Sequence, residues 1–336
     1  MRRPRLLAAI LCACVSMLML GAQGWEPVHP LGSTYGDFGG IRTFLRAPYV
    51  RDLRELDADI VVLGVPFDEG TSSRPGARYG PREIREMSSS YSWHLRSGGF
   101  YYIDGGRVTL KGKRWADGGD VEVVPTQPAR TFENVTEAVR AVVAKKAFPV
   151  ILGGDHSISF PVIRALDASP LTVIHLDAHL DTWDLGPGDL GHAGWVLRVA
   201  KLPFVKSIVQ IGMRGLANDP DAVEGAKRIG TTVITTEALR REGITAAVER
   251  IPRSERIYVS IDIDVVDPSL APGTGTPEVG GLTFEEIDQL LRAIPSRGRV
   301  IGMDLVEVEP FHDPGGVTAL TAARLIIDLV GAALGP

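Results

Sequence analysis

Leu171-Thr172-Val173-Ile174-His175-Leu176-Asp177-Ala178-His179-Leu180-Asp181 is the stretch that decides the fold of this chain. Leu171–Leu176 is apolar almost throughout, with no polar alternation. A strand written that way is buried on both faces, as in a parallel sheet covered by helices on each side. Asp177, His179 and Asp181 follow at intervals of two, and residues so spaced on an extended segment point to one side. Two other strings share this context. Gly153-Gly154-Asp155-His156-Ser157 follows the run Phe148–Leu152, and Ser260-Ile261-Asp262-Ile263-Asp264 follows Arg256–Val259. If the three runs are neighbouring parallel strands, the strings meet at carboxyl ends, where open α/β sheets place their ligands.

Six side chains would then converge: His156, Asp177, His179, Asp181, Asp262 and Asp264. That is too many for one catalytic ion with an open position. It suits two ions sharing bridging carboxylates. Charge points the same way, since four buried carboxylates without counter-ions are very costly and two divalent cations balance them. A carboxylate-rich set with two imidazoles suits manganese more than a structural zinc, and leaves nickel, iron and cobalt open. A lone Asp-X-His is common by chance; three strings at strand ends are not. Asp155 is expected to orient His156 or the loop backbone. His175, inside the apolar run, reads as a packed core histidine, while His29 and His94 have no supporting context.

Further strands are expected at Ile60–Val65, Gly118–Val124, Ser207–Gly212, Thr231–Ile234 and Val300–Val306, and the third run continues to Ile263, making about eight in all. Helical stripes fall between them at Arg82–Met87, Phe132–Ala147, Ser157–Leu166, His192–Ala200, Asp221–Arg228, Thr236–Arg241, Thr245–Arg250, Thr283–Ile294 and Thr318–Leu334. Thr283 and Glu286 stand at capping-box spacing. Residues 25–57 read as an irregular arm with an apolar anchor at Phe44 and Leu45. The alternation predicts a parallel sheet between helical layers. Pattern alone leaves an eight-fold closed barrel open.

The length of 336 residues is ordinary for one large α/β domain. A net charge of −5, with no dense Lys/Arg run, excludes a nucleic-acid surface. Arg2, Arg3 and Arg5 precede an apolar stretch from Leu6 to Leu20 and a small-residue exit ending at Gly24. This is the layout of a secretory signal over residues 1–24, and it is too short for a confident membrane span. Arg2-Arg3 also loosely fits a twin-arginine leader. Export to the periplasm or beyond is expected, with no membrane association once the leader is removed. Translation from Met17 or Met19 would instead leave the chain cytoplasmic. Cys12 and Cys14 both lie in the leader, so residues 25–336 carry no disulfide framework, cysteine zinc site or cysteine nucleophile.

The three strings resemble the signature motifs of the ureohydrolase family, which includes arginases and agmatinases. Val65-Pro66-Phe67-Asp68, Arg74-Pro75-Gly76-Ala77-Arg78, Gly273–Gly281 and Val306-Glu307-Val308-Glu309-Pro310 are similar to its agmatinase-like branch. The similarity runs from about Asp37 to the end of the chain. It implies a three-layer α/β/α arginase-type fold with a parallel sheet of about eight strands, which sets the barrel aside. It also implies a binuclear manganese centre and hydrolysis of a guanidinium group to urea. Carried over by residue, His156, Asp177, Asp181 and Asp262 would hold one ion, and Asp177, His179, Asp262 and Asp264 the other. Asp181 could carry a proton to the leaving amine. Glu307 would hold the guanidinium, with Glu309 second in rank, and Thr276 would lie beside it. His192 matches a pocket histidine that contacts substrate or shuttles protons. This chain departs from the family pattern at His192-Ala193-Gly194-Trp195.

The far end of the substrate is harder to read. Trp183 stands where arginases use a polar residue toward the substrate carboxylate, which argues against arginine. Asp184 and Asp189 could make the mouth acidic and favour agmatine, giving putrescine and urea; the segment Trp93–Arg96 could instead bind a carboxylate. Agmatine hydrolysis is the leading expectation. A guanidinobutyrase or other guanidino-acid or guanidine hydrolase comes next, and a non-catalytic metal-binding subunit last. The resemblance implies a homo-oligomer, a trimer or hexamer. Asn134-Val135-Thr136 fits a glycosylation sequon within an expected helix and reads as chance.

Overall fold

The continuous apolar runs become strands because successive side chains serve two different cores. Ile60 and Val62 pack into one, and Val61, Leu63 and Val65 into the other. Ile257, Val259 and Ile261 likewise face one side and Tyr258 the opposite. The computed structural model describes residues 41–93, 98–103, 105–168, 170–184, 186 and 188–335. The leader, its two cysteines, His29 and the segment from His94 to Arg96 lie outside them.

In chain order the strands are β1 (Ile60–Val65), β2 (Phe100–Tyr102), β3 (Arg107–Thr109), β4 (Trp115–Asp120), β5 (Phe148–Gly153), β6 (Leu171–Leu176), β7 (Val205–Met213), β8 (Thr232–Thr235), β9 (Ser254–Asp262) and β10 (Gly298–Val306). β2 and β3 form a separate antiparallel hairpin, which the sequence pattern did not suggest. The other eight form one parallel sheet in the order β4-β1-β5-β10-β9-β6-β7-β8. β4 and β8 are open edges, so the sheet is not a barrel. β4 begins and ends earlier than the expected Gly118–Val124. Trp115 and Ala116 pair with Ile60 and Val61, and their burial pulls the strand toward them.

Helices cover both faces. On one side lie α2 (Pro128–Ala144), α3 (Ser159–Arg164) and α4 (Trp195–Ala200), contributing Val135, Val139, Val162 and Trp195 to the core. On the other lie α1 (Gly80–Ser88), α6 (Thr236–Glu242), α7 (Ile244–Glu249), α8 (Phe284–Ala293) and α9 (Val317–Leu334). α5 (Pro220–Ile229) packs on a smaller cluster with Leu180 and Met213. The capping box expected at Thr283 and Glu286 is formed. α9 is long and apolar enough to cross a membrane, with a mean hydropathy of 1.8, but the fold spends that composition on burial. Leu325, Ile326, Leu329 and Val330 are fully enclosed, each contributing roughly 1.5–3 kcal/mol. Phe44 and Leu45 are buried as the expected anchor.

The strand order positions the site. β5, β10, β9 and β6 are adjacent, and Leu152 pairs with Leu305, Asp262 with Val306, and Ile261 with Leu176. Their carboxyl ends are therefore level.

Candidate active site

The three acidic strings, and Glu307 with them, leave this one edge. Gly154-Asp155-His156 follows β5, Asp177–Asp181 follows β6, Asp262 closes β9 with Asp264 in the turn behind it, and Glu307 follows β10. His156 Nδ1 faces three carboxylates, at 3.0 Å from Asp262 Oδ2, 3.1 Å from Asp177 Oδ2 and 3.3 Å from Asp181 Oδ2. His179 Nδ1 lies 3.0 Å from Asp264 Oδ2 and 3.4 Å from Asp177 Oδ1. Asp177 thus turns one oxygen to each histidine. The six residues expected to converge do so.

The electrostatics of this cluster are those of an excess of buried negative charge. Burial, with Asp264 and Asp177 beside it, pushes Asp262 well above the usual carboxylate range. Burial and then Asp177 also raise Asp181 and Asp264. Burial disfavours a charged His179, yet Asp264 and Asp177 lift it to about 12. Donor atoms of His156, His175, Asp177 and Asp181 lie within 4.8 Å of one another, as do those of Asp177, His179 and Asp264. Asp262 belongs to neither tight group, but its Oδ2 lies 3.0 Å from His156 Nδ1, beside the first. Carboxylates crowded this way ionise together only with added positive charge. The residues present therefore fit a pair of divalent cations.

A ring of supporting contacts aims these side chains. Tyr258 OH and Ser260 Oγ donate to Asp304 at 2.8 and 2.6 Å. Ser260 Oγ therefore accepts from His156 Nε2–H, 2.9 Å away, which leaves the Nδ1 lone pair toward the carboxylates. His175 is buried in β6, as expected of a core residue, but it is more than packing. Its Nε2 lies 2.6 Å from Asp177 Oδ2, and Gln210 Nε2 lies 3.1 Å from its Nδ1. The signal was present in the sequence, because His175 is two residues before Asp177 and so shares its side of the strand. Trp195 was also missed. Its indole N–H donates to Asp181 Oδ2 at 2.8 Å, and its ring stacks on His156 at 4.7 Å. Asp155 does hold loop backbone: its Oδ2 accepts from Gly70 N at 2.7 Å and its Oδ1 from Ser157 N at 2.9 Å.

Glu307 and His192 meet on the opposite wall. Glu307 Oε1 accepts from His156 N at 2.7 Å and lies 2.8 Å from His192 Nδ1. Burial opposes a charged His192, but Glu307 outweighs it and raises the imidazole to about 9. Ser72 N–H donates to His192 Nε2 at 3.0 Å. Asp181 and Glu307 both hold left-handed backbone, with φ of 51° and 62°, a cost of order 1–3 kcal/mol each that a rigid surrounding sustains.

His192 and the metal-site residues open onto a cavity of about 330 Å³, with Glu307 buried beside His192 and not among its lining. His179, Asp181 and Asp262 form its floor; Ser72, Trp183, His192 and Thr276 stand in its walls. Thr276 Oγ1 also reaches Asp264 Oδ2 at 3.3 Å. Glu309, like Glu307, does not line the cavity. Its carboxylate is buried behind Gly275, where an added Cβ would lie 2.7 Å from Oε1. Nor do Asp184 and Asp189 make the mouth acidic: Asp184 pairs with Arg228 at 3.5 Å, and Asp189 with Arg198 at 3.3 Å while capping Gly191 N.

The model of the arginase family matches residues 58–331. The chain belongs to the arginase family. Its relatives within the family include the proclavaminate amidinohydrolase of Streptomyces clavuligerus, 37% identical over 301 residues, covering 87% of this chain and 93% of that one. The guanidinopropionase of Pseudomonas aeruginosa is also 37% identical, over 302 residues and 87% and 92% of the two chains. A solved structure of a hypothetical agmatinase from Burkholderia thailandensis superimposes with a TM-score of 0.76 at 32% identity, over 88% of this chain and 92% of the other. Dependence on a binuclear metal is general to the arginase family, and the paired histidine–aspartate clusters here conform to it.

Proposed function

We propose that this chain is a binuclear-metal ureohydrolase that cleaves the guanidinium group of a small guanidino compound to urea and an amine. The observation that carries the reading is Asp177 turning one oxygen to each of two histidines inside a ring of buried carboxylates. His156, Asp177, Asp181 and Asp262 would hold one ion; Asp177, His179, Asp262 and Asp264 would hold the other; manganese is the first choice. When bound, such a pair lowers the pKa of a shared water and places positive charge where the attacked carbon gains electron density.

The protein's own groups do the rest. Glu307, with Oε1 held by His156 N and His192 beside the cavity wall, would supply the carboxylate that meets the planar guanidinium in a charge-assisted hydrogen bond. Asp181 lies on the cavity floor, placed to pass a proton to the departing nitrogen. Thr276 and Trp183 stand in the walls.

For the far end of the substrate we retain agmatine as the leading candidate. A guanidino acid is the second reading, because both carboxylates expected to attract an ammonium are paired with arginines instead. The test loads purified protein with Mn²⁺ or Ni²⁺ and offers agmatine, 4-guanidinobutyrate, 3-guanidinopropionate, arginine and guanidine. Urea from one of them is expected; none from any, with either metal, would sink the hydrolase reading. Asp262→Asn should lose bound metal and activity together. Export by the leader remains part of the proposal, and an intact Met1 on protein recovered from its own cell's cytoplasm would count against it.

A further inference from the structure

Both ring nitrogens of His192 are occupied. Nδ1 lies 2.8 Å from Glu307 Oε1, and Nε2 lies 3.0 Å from Ser72 N and 2.8 Å from Ser72 Oγ. Nε2 of the histidine therefore meets the serine hydroxyl, and Ser72 stands beside His192 in the cavity wall. Ser72 is exposed and 120 residues from His192 in sequence.

The alignment is built rather than fortuitous. Asp155 Oδ2 holds Gly70 N at 2.7 Å, and Gly70 O in turn accepts from His192 N at 2.9 Å. A Cβ added at Gly70 would come within 2.9 Å of Asp155 Oδ2, and one at Gly191 within 3.3 Å of Gly70 O. The two loops thus meet backbone to backbone, which sets where Ser72 stands relative to the imidazole.

We propose that Ser72 relays a second proton, from His192, to the leaving amine, beyond the one Asp181 passes to it, so that the amine departs as ammonium. The inference rests on the hydrolase reading above. With the ring protonated, Nε2–H donates to Ser72 Oγ, whose own hydrogen points into the cavity. The Nε2–H bond breaks as a new Oγ–H bond forms, and the original Oγ–H bond breaks as an N–H bond forms on the amine. The ring ends neutral, the serine is unchanged and the amine carries one more proton. Ser72 N–H then donates to the vacated Nε2 lone pair, the contact seen in the structure.

The test compares Ser72→Ala and Ser72→Thr with wild type on whichever guanidino substrate releases urea, alongside bound-metal analysis and thermal melts. Ser72→Ala should keep its metal, melting temperature and KM while kcat falls at least about tenfold. Ser72→Thr, which retains a hydroxyl, should recover most of that loss. The solvent isotope effect on kcat should report two protons in flight in wild type and one in Ser72→Ala. Wild-type kcat in Ser72→Ala, a rise in KM alone, or no rescue by threonine would each overturn the relay while leaving the hydrolase reading intact. A wild-type enzyme that forms no urea would overturn both.

Discussion

Trp195 donates its indole N–H to Asp181 Oδ2 across 2.8 Å. The donor comes from the first turn of α4 and the acceptor from the loop after β6, so a helix on one face of the sheet steadies a carboxylate at its edge. Trp195→Phe keeps an aromatic ring beside His156 but removes the hydrogen bond together with part of a fully buried ring. A bond to a charged, buried acceptor contributes about 2 kcal/mol. The variant should melt at lower temperature and bind its metal more weakly, measured by calorimetry and by metal titration. An unchanged metal affinity would show that Asp181 does not depend on this donor.

Ser260 stands between His156 Nε2 and Asp304, at 2.9 and 2.6 Å. Ser260→Ala leaves Nε2 without its acceptor and frees the imidazole to change tautomer. Partners of this kind tune metal affinity by roughly 10–100-fold. The expected result is tighter competition by chelators at unchanged substrate KM, followed by dialysis against a buffered metal series.

Glu307 is predicted to act on the substrate rather than on the metals. Glu307→Gln preserves an Oε1 acceptor for His156 N but removes the negative charge opposite the guanidinium. Metal content should stay at the wild-type value, while kcat/KM for the active substrate falls by roughly 100-fold or more. Unaltered kinetics would mean that the guanidinium binds elsewhere.

Asp328 gives a pH prediction away from the site. It accepts from Tyr102 OH and from Arg324 Nε, the latter at 2.9 Å. Burial still dominates and lifts its carboxyl to about 6 from the ordinary 3.8. A carboxyl raised in the folded state binds its proton more tightly folded than unfolded. Its contribution to stability is therefore full below the unfolded value of 3.8 and is lost as pH rises through about 6. The loss is at most about 3 kcal/mol, at ~1.4 kcal/mol per pKa unit. Denaturant melts at fixed metal should show this slope in wild type and a flatter one in Asp328→Asn.

Much of the site was legible because its signals are local. Asp177, His179 and Asp181 share a side through the two-residue period of a strand, and a run such as Leu171–Leu176 reports burial without reference to any neighbour. His175 was readable by the same rule and was instead assigned to packing, since a histidine within an apolar strand satisfies both descriptions. The expected Gly118–Val124 strand was displaced because Trp115 and Ala116 are drawn to β1, a preference that only the neighbouring strand reveals.

The sequence by itself therefore determined most strands of the main sheet, the helical layers around them and the six residues that gather at the strand ends, because periodicity and burial are written into each segment. Strand order was decided by tertiary structure: β10 and β9 enter between β5 and β6, and only that insertion sets Glu307 opposite Asp177. The contacts of Ser72 with His192, of Trp195 with Asp181 and of Ser260 with His156 were decided there too. Each joins segments with independent local preferences, and a hydrogen bond across such a gap exists only once packing has fixed both ends.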